Sequence, residues 1–65
     1  MKITVKTTGP KSHLEVCSLI RFYESEILES KLCEGDLYGY FVLDTHPESI
    51  DSFILLSGVV VEWKN

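Results

Sequence analysis

Long hydrophobic runs are missing from this 65-residue chain. No apolar stretch approaches the ~20 residues that cross a bilayer. The opening Met1-Lys2-Ile3-Thr4-Val5-Lys6 lacks the apolar core of a signal peptide. The expectation is a cytoplasmic protein without membrane contact. Clustered basic charge is missing as well. Six basic residues (Lys2, Lys6, Lys11, Arg21, Lys31, Lys64) are scattered among ten acidic ones, for a net charge of −4. Binding to a phosphate backbone needs a concentrated Lys/Arg surface, so direct nucleic-acid binding is disfavoured. The acidity serves solubility and, beyond that, suits a basic protein surface as partner.

Cysteine is scarce, with only Cys17 and Cys33. If both lie on one continuous helix, they stand about 24 Å apart, whereas bridged Cα atoms lie within about 7 Å. Free thiols in a reducing compartment follow, each open to a thiol reagent once the chain unfolds. His13 and Cys17 share a helix side at i, i+4, but a metal site needs about four ligands. No metal and no cofactor are expected.

Catalytic motifs are also absent. His46 sits between Asp44 and Pro47, a setting that suits a turn better than an active site. Glu48 and Asp51 read as charge at a helix N-terminus. The stretch Thr7-Thr8-Gly9-Pro10-Lys11-Ser12 fails the Gly-x-x-x-x-Gly-Lys-Ser/Thr pattern of a phosphate loop. The chain reads as a non-enzyme.

What is present is pattern. Residues 2–8 alternate, with Ile3, Val5 and Thr7 on one side and Thr4, Lys6 and Thr8 on the other, which predicts a strand. Gly9-Pro10 ends it. Ser12 followed by Glu15 forms a capping-box pattern and opens a long helix from His13 to about Cys33. Its apolar stripe is Val16, Leu19, Ile20, Tyr23 and Ile27, with Leu14, Leu28 and Leu32 to one side and Gly35 as C-cap. Leu37 to Asp44 predicts a second strand. Leu37, Gly39, Phe41 and Leu43 face one way, and Tyr38, Tyr40 and Val42 the other.

Thr45 to Gly58 is ambiguous. Threonine near the cap and proline in the first turn favour a helix start, with Ile50, Phe53, Ile54 and Leu56 or Ser57 as a short stripe ending at Gly58. The competing reading is a strand over Ser52–Leu56 with a Ser57-Gly58 turn. Val59 to Trp63 predicts a final strand, with Val60, Glu62 and Lys64 on its outer side. The expected fold is one small α/β (α+β) domain over residues 1–65: a three-stranded sheet in β-α-β-α-β order with one long helix on one face. The alternative order is β-α-β-β-β. The first helix should cross in the right-handed sense.

Three candidate surfaces follow. On a helix, Glu15, Phe22, Glu26 and Glu29 would share one face, an aromatic ringed by carboxylates, as in an interface anchor. Tyr38, Tyr40, Val42 and Val60 would form an uncovered sheet side suited to an oligomer interface. Thr8, Lys11 and Ser12 stand where a helix N-terminus favours anions. A chain this short buries only about 60% of its unfolded surface, so a homo-oligomer is expected.

The leading functional expectation is a small acidic protein-binding module, an inhibitor or adaptor that occludes a partner surface. Its size, acidity and lack of chemistry are compatible with the host-directed inhibitors that viruses encode, an analogy from composition. The alternatives are a small-ligand or nucleotide-binding oligomer using the 7–12 loop, and a non-catalytic subunit of a larger assembly.

Overall fold

Alternation in the first strand survives folding intact. In β1 (Lys2–Thr7), Ile3, Val5 and Thr7 are buried and the residues between them are not. The structure, a computed structural model, describes residues 1–63. After β1 come α1 (Pro10–Phe22), β2 (Glu26–Leu32), β3 (Gly39–Asp44), α2 (Glu48–Ile54) and β4 (Val59–Trp63). The placement of Lys64 beside Val60 and Glu62 lies outside the described residues.

The strands form one sheet in the order β2-β3-β1-β4, with every neighbouring pair antiparallel. β1 therefore runs parallel to β2 with β3 between them, and β3 runs parallel to β4 with β1 between them. Parallel strands need a helical crossover, and α1 and α2 supply one each. Two interleaved split β-α-β units result, a ferredoxin-like topology. Among the described residues the expected three strands become four, because the single long first helix is replaced by α1 and β2; the second helix of the expected order is present, and the fold is a small α+β one.

The correction centres on Tyr23 to Leu32. Helix α1 stops at Phe22, and Glu24 takes the left-handed conformation with φ of 53°. Ser25 N–H donates to Ile20 O at 2.9 Å, and Glu24 N–H donates to Arg21 O at 3.2 Å. That is the Schellman pattern, which normally carries glycine at the left-handed position. Here glutamate fills it, so the sequence shows no stop signal. The next seven residues, Glu26–Leu32, pair with β3 as a strand. Gly35, read as the helix C-cap, instead sits in the connection between β2 and β3. Its φ is 61°, and Leu37 N–H donates to Glu34 O across the turn.

The start of α1 also moves. Pro10 occupies its first turn, where a missing N–H costs nothing, and Gly9 is the cap residue. Ser12 Oγ accepts from Gly9 N–H at 3.2 Å and donates to Gly9 O at 3.0 Å. Ser12 is thus the residue that reaches back, and Glu15 lies one turn further on. For the ambiguous segment the helical reading holds. Ile50 and Phe53 of α2 are buried, and Ser49 is held by Thr45 Oγ1 at 2.9 Å. The core is one cluster of Ile3, Val5, Val16, Ile20, Phe41, Leu43, Ile50 and Phe53, with Leu19, Leu56, Val59 and Val61 packed around it.

Candidate functional site at the uncovered flank of strand β2

Both helices lie on one face of the sheet but not evenly across it. Helix α1 packs on β1, and α2 packs on β4 and α1. Strand β2 meets β3 and little else, and all seven of its residues are exposed. The register with β3 sets Ile27 opposite Leu43, Ser30 opposite Phe41 and Leu32 opposite Gly39. These partners are buried beneath the helices. By the pleat, Ile27, Ser30 and Leu32 therefore share the helix side of the sheet. With no helix above them, Ile27 and Leu32 remain 50% and 56% exposed.

A bulge complicates the strand. Leu28 is inserted between Ile27 and Glu29, which stand opposite the consecutive Leu43 and Val42. Bulges of this kind are common at sheet edges and re-aim side chains there.

The outer edge of β2 has no neighbour among the described strands. Cys33 N–H donates to Tyr38 O at 2.8 Å. A Cβ on Gly39 would lie only 2.7 Å from Lys31 O. Both observations turn the polar groups of Lys31 and Cys33 toward β3. Alternation along an antiparallel ladder then turns those of Ser30 and Leu32 outward.

A shallow groove of about 490 Å³ runs beside this flank, lined by His13, Ser30, Lys31, Leu32 and Phe41. Its floor is aromatic. His13 stacks on Phe41 with centroids 4.7 Å apart and meets the edge of Tyr38 at 5.2 Å. Gly39 permits this packing, because a Cβ there would lie 3.1 Å from His13 Cε1. Thr7 Oγ1 donates to Gly39 O at 3.1 Å and lies 3.0 Å from His13 Nδ1. A hydroxyl has one hydrogen, so Thr7 must accept from Nδ1–H. Nδ1 therefore carries a hydrogen, and in the neutral form of the ring Nε2 is the acceptor.

The predicted surfaces fare differently. Glu15, Phe22, Glu26 and Glu29 do not share a helix face, because α1 ends between the second and third of them. Glu15 and Phe22 stay on α1, where Phe22 is 76% exposed with its ring edge-on to Tyr23. Glu26 and Glu29 belong to β2, and Glu29 accepts a 2.6 Å bond from Tyr40 Oη across to β3. That bond holds the Tyr40 hydroxyl above its ordinary pKa, with burial and the Glu29 charge adding to it.

Tyr38 does not sit with Tyr40 and Val42. It precedes β3 and turns to His13. Tyr40, Val42 and Val60 do share the helix-free face, but Lys6 stands between Tyr40 and Val60 in the register and pairs with Glu62. That face is a charged lattice rather than an apolar patch. In the 7–12 loop, Thr8 Oγ1 donates to Gly58 O at 3.0 Å and Ser12 is bound to Gly9. The hydroxyls expected to hold an anion are committed to the fold, and Lys11 stands exposed beside them.

Cys17 is half-buried and Cys33 exposed, and both are free. Among the described residues no group of three or more His, Cys, Asp or Glu is arranged to hold a metal, and no helix is long and apolar enough to cross a membrane.

Sequence reasoning missed the β2 edge and the His13 cluster. The edge was hidden by an apolar spacing that also fits a helix. The cluster had one visible signal: a glycine, Gly39, between two tyrosines in a strand pattern, which marks a close approach. Comparison with known protein families, with curated proteins and with solved structures finds no match to this chain.

Proposed function

We propose that the protein is a non-catalytic protein-binding module that accepts an extended strand at the free edge of β2, acting as an adaptor or as an inhibitor that occludes the strand it takes. The observation that carries this reading is a seven-residue edge strand exposed along its whole length, with outward backbone groups at Ser30 and Leu32. Strand addition draws affinity from such main-chain groups and specificity from alternate side chains. The incoming strand would cover Ile27 and Leu32 on the helix side and meet Glu29 and Lys31 on the other. Edges of this kind are usually shortened, charged or covered. This one carries charge on the helix-free side and apolar residues on the other, so it discriminates among strands without being closed to them.

Ser30→Pro tests the reading. It removes an outward N–H and leaves the β2–β3 ladder intact, the one place in a sheet where proline is tolerated. Tagged wild type and Ser30→Pro are compared in pull-downs from the native cell, with hydrogen exchange on whatever complex forms. The expected result is a partner retained by wild type, lost by Ser30→Pro, and protecting the amides of Ser30 and Leu32. A partner retained equally by both, and released by Phe22→Ala, would move the contact to the exposed ring at the end of α1 and overturn the strand-addition reading.

A further inference from the structure

We infer that a second copy of this chain is an occupant of the β2 edge, paired antiparallel with Ser30 on the two-fold axis. The inference rests on the reading of β2 as a strand-accepting edge and names what that edge accepts.

Backbone geometry restricts the register. Outward groups of Ser30 and Leu32 must meet outward groups of the facing strand, so the axis passes through a residue and not between two. Charge then selects among the residues. Centred on Ser30, Glu29 of each copy stands opposite Lys31 of the other, twice by symmetry. These are non-hydrogen-bonded positions of the new ladder, where side chains approach most closely. Each side chain adds this contact to an exposed one on its own chain, Tyr40 Oη for Glu29 and Glu34 for Lys31. Centring on Glu29 sets that carboxylate against its own copy, and centring on Lys31 does the same with two ammonium groups. Like charges directly opposite are destabilising.

The same register runs Leu28, the bulge residue, alongside Leu32 of the second copy. These side chains are 49% and 56% exposed in the single chain. Two flanks that no helix covers thus cover each other. The net charge of −4 on each copy opposes approach at long range. Physiological salt screens that repulsion beyond about 8 Å, whereas the Glu29–Lys31 contacts are short.

The other free edge, β4, offers less. Its Val59 and Val61 are packed against the core, and α2 contacts it. Centred on Val61, it sets Glu62 opposite Val60 and gains no opposed charge pair.

The test is a charge exchange read by sedimentation of the full chain from micromolar to millimolar concentration, with circular dichroism confirming the fold of each variant. Wild type should dimerise in the micromolar range. Glu29→Lys alone and Lys31→Glu alone should each weaken the dimer by about tenfold or more, since each sets like charges opposite one another twice. The double variant Glu29→Lys, Lys31→Glu should restore it. An equimolar mixture of the two single variants should form a heterodimer tighter than either homodimer.

Wild type remaining monomeric at millimolar concentration would overturn the inference. So would a dimer indifferent to both single exchanges. In either case, a partner strand that still protects Ser30 and Leu32 from exchange leaves the strand-accepting reading standing and removes only the second copy. Loss of both together would remove the reading itself.

Discussion

The two edges of the sheet are made of similar residues and end in different states. Strand β4, Val59–Trp63, opens with three consecutive valines, of which Val59 and Val61 are half-buried against the core beside α2. Strand β2, Glu26–Leu32, carries Ile27 and Leu32 on the same side of the sheet, yet both are at least half exposed. The difference lies in where the helices rest. Helix α1 settles on β1, α2 settles against β4 and α1, and the described residues hold no third helix for β2. Exposure of an apolar residue here reflects the shortage of covering elements in a small chain more than the residue itself. An edge left bare in this way is the part of the molecule with unspent burial and unspent backbone hydrogen bonds.

The largest break in this comparison should come from the covered side. Phe53 is fully buried among the residues of the core. Phe53→Ala should cost about 3–5 kcal/mol, of the order of the whole stability of a domain this size at about 0.05–0.15 kcal/mol per residue. Ile27→Ala on the bare flank, with half its surface already in water, should cost about 1 kcal/mol or less. Urea unfolding followed by circular dichroism compares them. Equal costs would mean that β2 is covered in solution.

A smaller effect is expected at the junction between the two regions. Glu24→Gly relieves a left-handed glutamate that costs roughly 1–2 kcal/mol, and gives part of this back through a freer unfolded chain. A net gain of about 0.5–1 kcal/mol should appear as a raised urea midpoint with unchanged slope. A loss would mean that the Glu24 side chain makes a contact worth more than the strain.

The smallest effect is a titration that sharpens the picture of the helix-free face. Tyr40 is held above its ordinary pKa first by its bond to Glu29, then by burial and the Glu29 charge. A raised folded-state value means that the contribution is present below the unfolded pKa and fades as pH rises through the folded one. Glu29→Ala should lower the Tyr40 midpoint in an NMR titration of its ring. An unchanged midpoint would show that the bond is not formed in solution.

Several elements were legible in the residues. Strict alternation of β-branched residues in β1 has no helical alternative, and Ile3, Val5 and Thr7 are buried as that pattern requires. The same holds for Phe41 and Leu43 in β3 and for the span of β4. The α2 segment left helix and strand both open, and the helical reading favoured by its threonine and proline start is the one the fold adopts. The β2 segment was not, because Glu26-Ile27-Leu28-Glu29-Ser30-Lys31-Leu32 satisfies a helical stripe nearly as well as a strand. Its bulge at Leu28 breaks the period of two, and glutamate stands where a helix would ordinarily end in glycine. That one misreading also dispersed the predicted acidic face, since Glu26 and Glu29 left the helix that carried Glu15 and Phe22.

The sequence by itself determined the elements whose side chains tolerate only one backbone: alternating strands, a helix carrying the stripe of Val16 and Ile20, and a chain with no clustered positive charge. Tertiary structure alone decided the rest. Strand β2 exists because β3 offers it a ladder of hydrogen bonds, and that ladder is non-local. Tyr38 leaves its strand partners because His13 and Gly39 make room for it. The candidate site is the part of a four-stranded sheet that two short helices fail to cover, and only their docking determines which strand is left bare.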